Sequence, residues 1–232
     1  MIKGVETLVV LFALTNIYLL GTDRLGNQIR AILMQGFLLF LFAIAAHSGH
    51  ITAHVLALAA VVLAVKGIII PWLLKKTLGV TTDTTTVGPP RSIKDDFAFS
   101  SQPHVGFGTS ITLGMIFIAG SFWVGAKLDY LPTFPDYAPF AIPVGIATIL
   151  SGLLIVVGRM QALSQAIGYL VIENGVFVYG VSLSAGIPLM VEIGILLDVL
   201  GSVMIMGIAL FHINQSFARI DVHGEEEGAG HG

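Results

Sequence analysis

Two acidic residues lie where acids are costly. Glu173 stands in Gly168-Tyr169-Leu170-Val171-Ile172-Glu173-Asn174-Gly175, in the middle of a long apolar segment. Nineteen residues later Glu192 stands in Pro188-Leu189-Met190-Val191-Glu192-Ile193-Gly194. Placing a charged side chain at the centre of a bilayer costs about 2.5–3.5 kcal/mol or more, so such residues face a protein interior and mark ion pathways or proton relays. A carboxyl group there can take up and release a proton, or it can serve as a structural acid hydrogen-bonded to a neighbouring helix. Asp198 follows Glu192 by six residues, roughly 240° round a helix, so the two do not share a face. Asp198 is a candidate for the relay or for a different contact, such as a subunit interface.

Three further groups belong with these acids. Lys66 is a cation deep inside an apolar run, with Pro71 five residues on. Its two uses are pairing with an acid and direct participation in proton transfer. A proline at 71 removes a backbone donor and predicts a freed Gly67 carbonyl and a hydrated break in the helix. His54 is a candidate relay or hydrogen-bonding residue. With His47 and His50 it forms H-x2-H-x3-H, a spacing that suits a metal only on an unbroken helix; Ser48-Gly49 interrupts it. A metal or haem is therefore the weaker reading.

Composition sets the solvent for this chemistry. The 232 residues are 55% hydrophobic and only 11% charged, with a mean hydropathy of +0.91; soluble domains carry about 25% charged residues. Several apolar runs reach the roughly 20 residues a spanning helix needs. An outer-membrane barrel would show polar and apolar residues in alternation, which is lacking. The absence of cysteine excludes thiolate-held zinc and Fe–S clusters on this chain. No basic patch or nucleic-acid motif accompanies the net charge of −3, and no nucleophile motif, phosphate loop or HExxH is present.

These observations predict an all-α, polytopic integral membrane protein of about seven transmembrane helices. The spans fall at roughly 5–21, 29–47, 51–75, 106–126, 138–158, 163–185 and 188–213. The N-terminal run reads as a first membrane helix that stays attached. Residues 1–76 form a three-helix unit and 77–105 a polar loop. Residues 106–137 hold the fourth helix and its connection, with Tyr130, Phe134 and Tyr137 as interfacial aromatics. A second three-helix unit spans 138–213, and 214–232 is a polar tail. Arg24, Arg30, Lys75, Lys76, Arg91, Lys94, Arg159 and Arg219 fall on one face, against Lys3 and Lys127 on the other. The positive-inside rule then places the N-terminus outside and the C-terminus in the cytoplasm of a prokaryotic plasma (inner) membrane. Shifting the chain by about 138 residues lays spans one to three on spans five to seven, Gln35 on Glu173 and His54 on Glu192, a hint of internal duplication.

The pattern G-Y-x3-E-N-G at 168–175, then P-x2-V-E-I-G-x3-D at 188–198 and Asp221-Val222, resembles the hydrogenase-4 component E family. These are membrane subunits of formate hydrogenlyase-type, group 4 [NiFe]-hydrogenase complexes. Lys66 with Pro71 also resembles that family's third span. The last three spans are similar to the K subunit of respiratory complex I and the C subunit of multisubunit cation/proton antiporters. The resemblance implies that Glu173 and Glu192 join a chain of charged groups along a membrane arm, beside antiporter-like and hydrogenase subunits. It implies that the nickel–iron centre and Fe–S clusters lie in those partners and no cofactor on this chain. The function expected is non-catalytic: intramembrane carboxylates contributing to proton or sodium translocation coupled to electron transfer. An antiporter subunit without a redox arm and a purely structural anchor are the alternatives.

Overall fold

The computed structural model describes residues 2–22, 24–46, 53–83, 106–128, 136, 138–183, 201, 203–205 and 207. Every element among them is helical: α1 (Ile2–Gly21), α2 (Leu25–Ala46), α3 (Ala53–Val62), a π-helical segment (Leu63–Ile69), α4 (Ile70–Asp83), α5 (Phe107–Gly125), α6 (Ala138–Gly158) and α7 (Ala162–Leu183). Five of these, α1, α2, α5, α6 and α7, are long and apolar enough to cross a membrane. The third expected span is a continuous helical run from 53 to 83, divided by its π segment. Its C-terminal end, 77–83, was expected in the polar loop and instead continues α4. The seventh expected span lies almost wholly outside the described residues, as do Tyr130, Phe134, Tyr137, Asp221 and Val222.

Large apolar side chains are exposed on the outside while several polar ones are buried among the apolar residues of the interior, unlike a typical protein folded in water. Trp72, Trp123 and Val157 are among the exposed side chains, whereas Asn16, Gln28, Gln35, Thr148 and Ser164 are buried. Trp72 lies under the ammonium of Lys76 (5.2 Å) and Trp123 under that of Lys127 (6.0 Å). These tryptophan–lysine pairs belong to the amphipathic residues that anchor helices at a membrane–water boundary.

Polar caps define one end of the bundle. Arg159, just past α6, donates from Nη2 to the carbonyls of Leu20 (3.1 Å) and Thr22 (3.4 Å), covering C-terminal carbonyls of α1 that have no partner within the helix. Gln28 donates to the Thr22 carbonyl (3.1 Å) and accepts from Ser164 (3.2 Å). The ends of α1 and α6 and the starts of α2 and α7 therefore meet at one level, the Arg159 end. Arg24 and Arg159, assigned to the same face from the sequence, fall together there.

Close backbone approach binds α6 to α7. A Cβ on Gly152 would lie 2.7 Å from the Gly168 carbonyl oxygen and 2.7 Å from the Ile172 nitrogen, and one on Gly175 would lie 2.9 Å from the Gly145 oxygen. Small residues permit this contact, and two of them, Gly168 and Gly175, bracket Glu173. The hairpin α1–α2 has nearly the same dimensions as α6–α7. Moved by about 138 residues, it would occupy 140–159 and 163–184, against 138–158 and 162–183 for the second hairpin. Gly152→Val should lower the unfolding midpoint of the detergent-purified chain, with a cost of about 1–3 kcal/mol or more because backbone atoms must move. A midpoint equal to wild type would contradict the described α6–α7 contact.

Candidate functional site

Helices α1, α2, α6 and α7 and the π segment each carry buried polar residues at one shared level. Along α1, Val5, Val9 and Phe12 precede Thr15 and Asn16, and Leu19 and Leu20 follow. Along α2 the order reverses: Leu25, Ile29 and Ile32, then Gln35, then Leu38, Leu39 and Phe42. In the third run Lys66 separates Val62 from Ile70 and Leu73. Thr148 separates Val144 from Ile155 on α6, and Glu173 with Asn174 separates Leu170 from Val178 on α7. The apolar residues form two buried clusters, one towards the Arg159 end and one towards the opposite end. The polar residues form a thin belt between them.

Within the belt Lys66 is paired with Glu173. Their side chains are 4% and 2% exposed, so neither reaches lipid or water. The Lys66 ammonium also donates to Asn174 Oδ1 (3.2 Å). Asn174 Nδ2 donates to Gln35 Oε1 (3.0 Å). Gln35 Nε2 donates to Asn16 Oδ1 (2.9 Å) and Thr15 Oγ1 (3.1 Å). Asn16 Nδ2 donates to Thr148 Oγ1 (2.7 Å). The two hydroxyls donate back within their own helices, Thr15 to the Phe12 carbonyl and Thr148 to that of Val144, both at 2.7 Å. One connected network thus joins α1, α2, the π segment, α6 and α7.

Local backbone structure brings Lys66 into it. The π segment carries Lys66 at its centre, and Ile70 N–H bonds to the Val65 carbonyl, an i→i−5 bond. The wider turn lies immediately before Pro71, whose ring crowds the carbonyl four residues back in an α-helix. The break expected at Pro71 is therefore a π-helical turn. Helix α2 meets it through Gly36: a Cβ there would lie 2.8 Å from both the carbonyl carbon and oxygen of Lys66. A larger residue at 36 would push α2, and Gln35 with it, away from the lysine.

The structure thus brings together two of the five residues singled out from the sequence, Glu173 and Lys66, as an ion pair. Glu192 and Asp198 lie outside the described residues, as do His47 and His50. His54 belongs to α3, and its side chain lies outside the described part. Among the described residues no group of three histidines or acids is placed to hold a metal. Asn174, Asn16, Thr15 and Thr148 stand out by no motif with a role of its own, and Gln35 stands out in sequence only as the counterpart of Glu173. The signal available was their position, since each is a polar residue at the middle of an apolar span.

No family model matches the chain, and no solved structure matches it. The chain is similar to a protein of Mycobacterium tuberculosis described as "Uncharacterized protein Rv0085", 27% identical over 167 residues, which is 72% of this chain and 69% of the relative.

Lys66 and Glu173 should be strongly coupled energetically. Removing one member of a buried pair leaves the other charge uncompensated, at about 3–5 kcal/mol. Lys66→Met alone and Glu173→Gln alone should each lower stability, and the double variant should lose clearly less than the sum of the two. Additive effects in detergent unfolding would contradict the pair.

Proposed function

We propose that this chain is a non-catalytic membrane-arm subunit of a respiratory, complex I-like hydrogenase assembly, supplying intramembrane groups for ion translocation coupled to electron transfer. The observation that carries this reading is the Lys66–Glu173 pair, buried at mid-helix. A buried pair is weak evidence for stability alone, because apolar packing does as well or better. In a membrane interior such groups mark ion pathways. The resemblance of the G-Y-x3-E-N-G motif assigns Glu173 the relay role, and Lys66 is its counter-charge on this chain. Glu192 and Asp198 are proposed to continue the relay on the last span, with His54 as a further member. The nickel–iron centre and Fe–S clusters belong to partner subunits.

On this reading the chain lies in a prokaryotic inner membrane with about seven spans. The meeting of Arg24 and Arg159 at one end of the bundle supports the cytoplasmic assignment of that end. A cation/proton antiporter subunit without a redox arm is the second reading, since a lysine–glutamate pair suits it equally.

Mild-detergent purification of the tagged chain from native membranes, with mass spectrometry and metal analysis, separates the readings. Nickel, Fe–S proteins and a large antiporter-like subunit are expected to accompany it. Antiporter-type subunits without nickel would favour the second reading, and recovery of the chain alone would count against both. In the intact complex Glu173→Gln is expected to abolish ion pumping while electron transfer and assembly persist; normal pumping would remove Glu173 from the pathway.

A further inference from the structure

The hydrogen bonds of the belt have a direction, and both ends fix it. An ammonium group only donates, so Asn174 must turn Oδ1 towards Lys66. Its Nδ2 then points to Gln35, which must answer with Oε1. Gln35 Nε2 in turn requires an oxygen from Asn16, and Asn16 Nδ2 requires one from Thr148. The hydroxyl proton of Thr148 goes to the Val144 carbonyl, which only accepts. Flipping one amide would set two donors or two acceptors face to face. Every amide oxygen therefore points along the chain towards Lys66, and every amide nitrogen points away.

This arrangement bears on which ion the belt can handle. A metal cation needs several oxygen ligands turned towards it. Here Glu173 Oε1 and Asn174 Oδ1 face the Lys66 ammonium. The oxygens of Gln35, Asn16, Thr15 and Thr148 accept from amide nitrogens of the belt itself. A second cation would also meet the ammonium in apolar surroundings, where like charges repel strongly. The cavity of about 10 Å³ a helical turn away lies among Val9, Phe12, Leu38, Phe42, Val144 and Val178 and offers a cation no ligand.

We propose that the belt exchanges protons at Glu173 and excludes sodium, because Lys66 is a tethered cation occupying the place a metal ion would take. The proposal deepens the reading of Glu173 as an ion-exchanging group and rests on it. Proton uptake forms an O–H bond on the Glu173 carboxylate and takes the pair from net charge zero to plus one. Asn174 retains the ammonium meanwhile. Release breaks that O–H bond and restores the neutral pair. No metal ion enters or leaves in either step.

The test is an infrared titration of the purified full-length chain in sodium, potassium and choline chloride at equal ionic strength. The carboxylic acid C=O band of Glu173 is assigned by its loss in Glu173→Gln. The expected result is a band that rises on acidification along one curve in all three salts. A curve displaced in sodium would overturn the exclusion while leaving ion exchange at Glu173 standing. Absence of the band at every pH at which the chain stays folded would overturn both, since the carboxylate would then never take a proton. The readout needs no partner subunit, so it stands whatever co-purifies with the chain.

Discussion

A lysine ammonium in the middle of a membrane is costly without acceptors around it. Much of the interior follows from that constraint. Glu173 supplies the opposite charge and Asn174 a second acceptor. Asn174 is held by Gln35, Gln35 holds Asn16, and Asn16 reaches Thr148. Helices that would otherwise share only apolar contacts are thereby fixed in register at one level. The backbone serves the same end: the π turn at 63–69 carries Lys66, Gly36 lets α2 approach it, and the glycines of α6 and α7 set the height of Glu173.

The belt lies across the bundle, with an apolar cluster on each side. Phe12, Leu39, Phe42 and Val178 close it on one side, and Leu19, Ile32, Ile70, Ile167 and Leu170 on the other. Among the described residues, an ion moving along the helix axes away from the belt would meet packed hydrocarbon in both directions. The polar connection runs laterally, in the plane of the belt. That suits a subunit passing charge sideways to a neighbour better than one forming a complete channel by itself.

Much of the fold was legible because the bilayer makes length and hydropathy decisive. The span read at 138–158 matches α6, and those read at 106–126 and 163–185 differ from α5 and α7 by one or two residues. Those read at 5–21 and 29–47 begin three and four residues inside α1 and α2, and the larger exception was α4. Its residues Thr77 to Asp83 stay helical although their composition suggests a loop, since a helix already nucleated extends at little cost per residue. Glu173 and Lys66 were legible because charges in apolar runs stand out. Their partnership was not, because a separation of 107 residues carries no periodicity. The amides were hidden for a related reason. Asn16, Gln35 and Asn174 are ordinary polar residues in sequence, and only the packing of three helices shows that they are one chain. The shift that laid Gln35 on Glu173 came nearest, and the structure places both in the belt, joined through Asn174 and Lys66.

The central claim is that Lys66 and Glu173 face each other inside the bundle. Solid-state NMR of the full chain in lipid bilayers, with ¹⁵N-lysine and ¹³C-glutamate labelling, measures this directly through the dipolar coupling between a lysine ζ-nitrogen and a glutamate δ-carbon. The account predicts a coupling in the ion-pair range that disappears in both Lys66→Met and Glu173→Gln. A wild-type spectrum without such a coupling would contradict it.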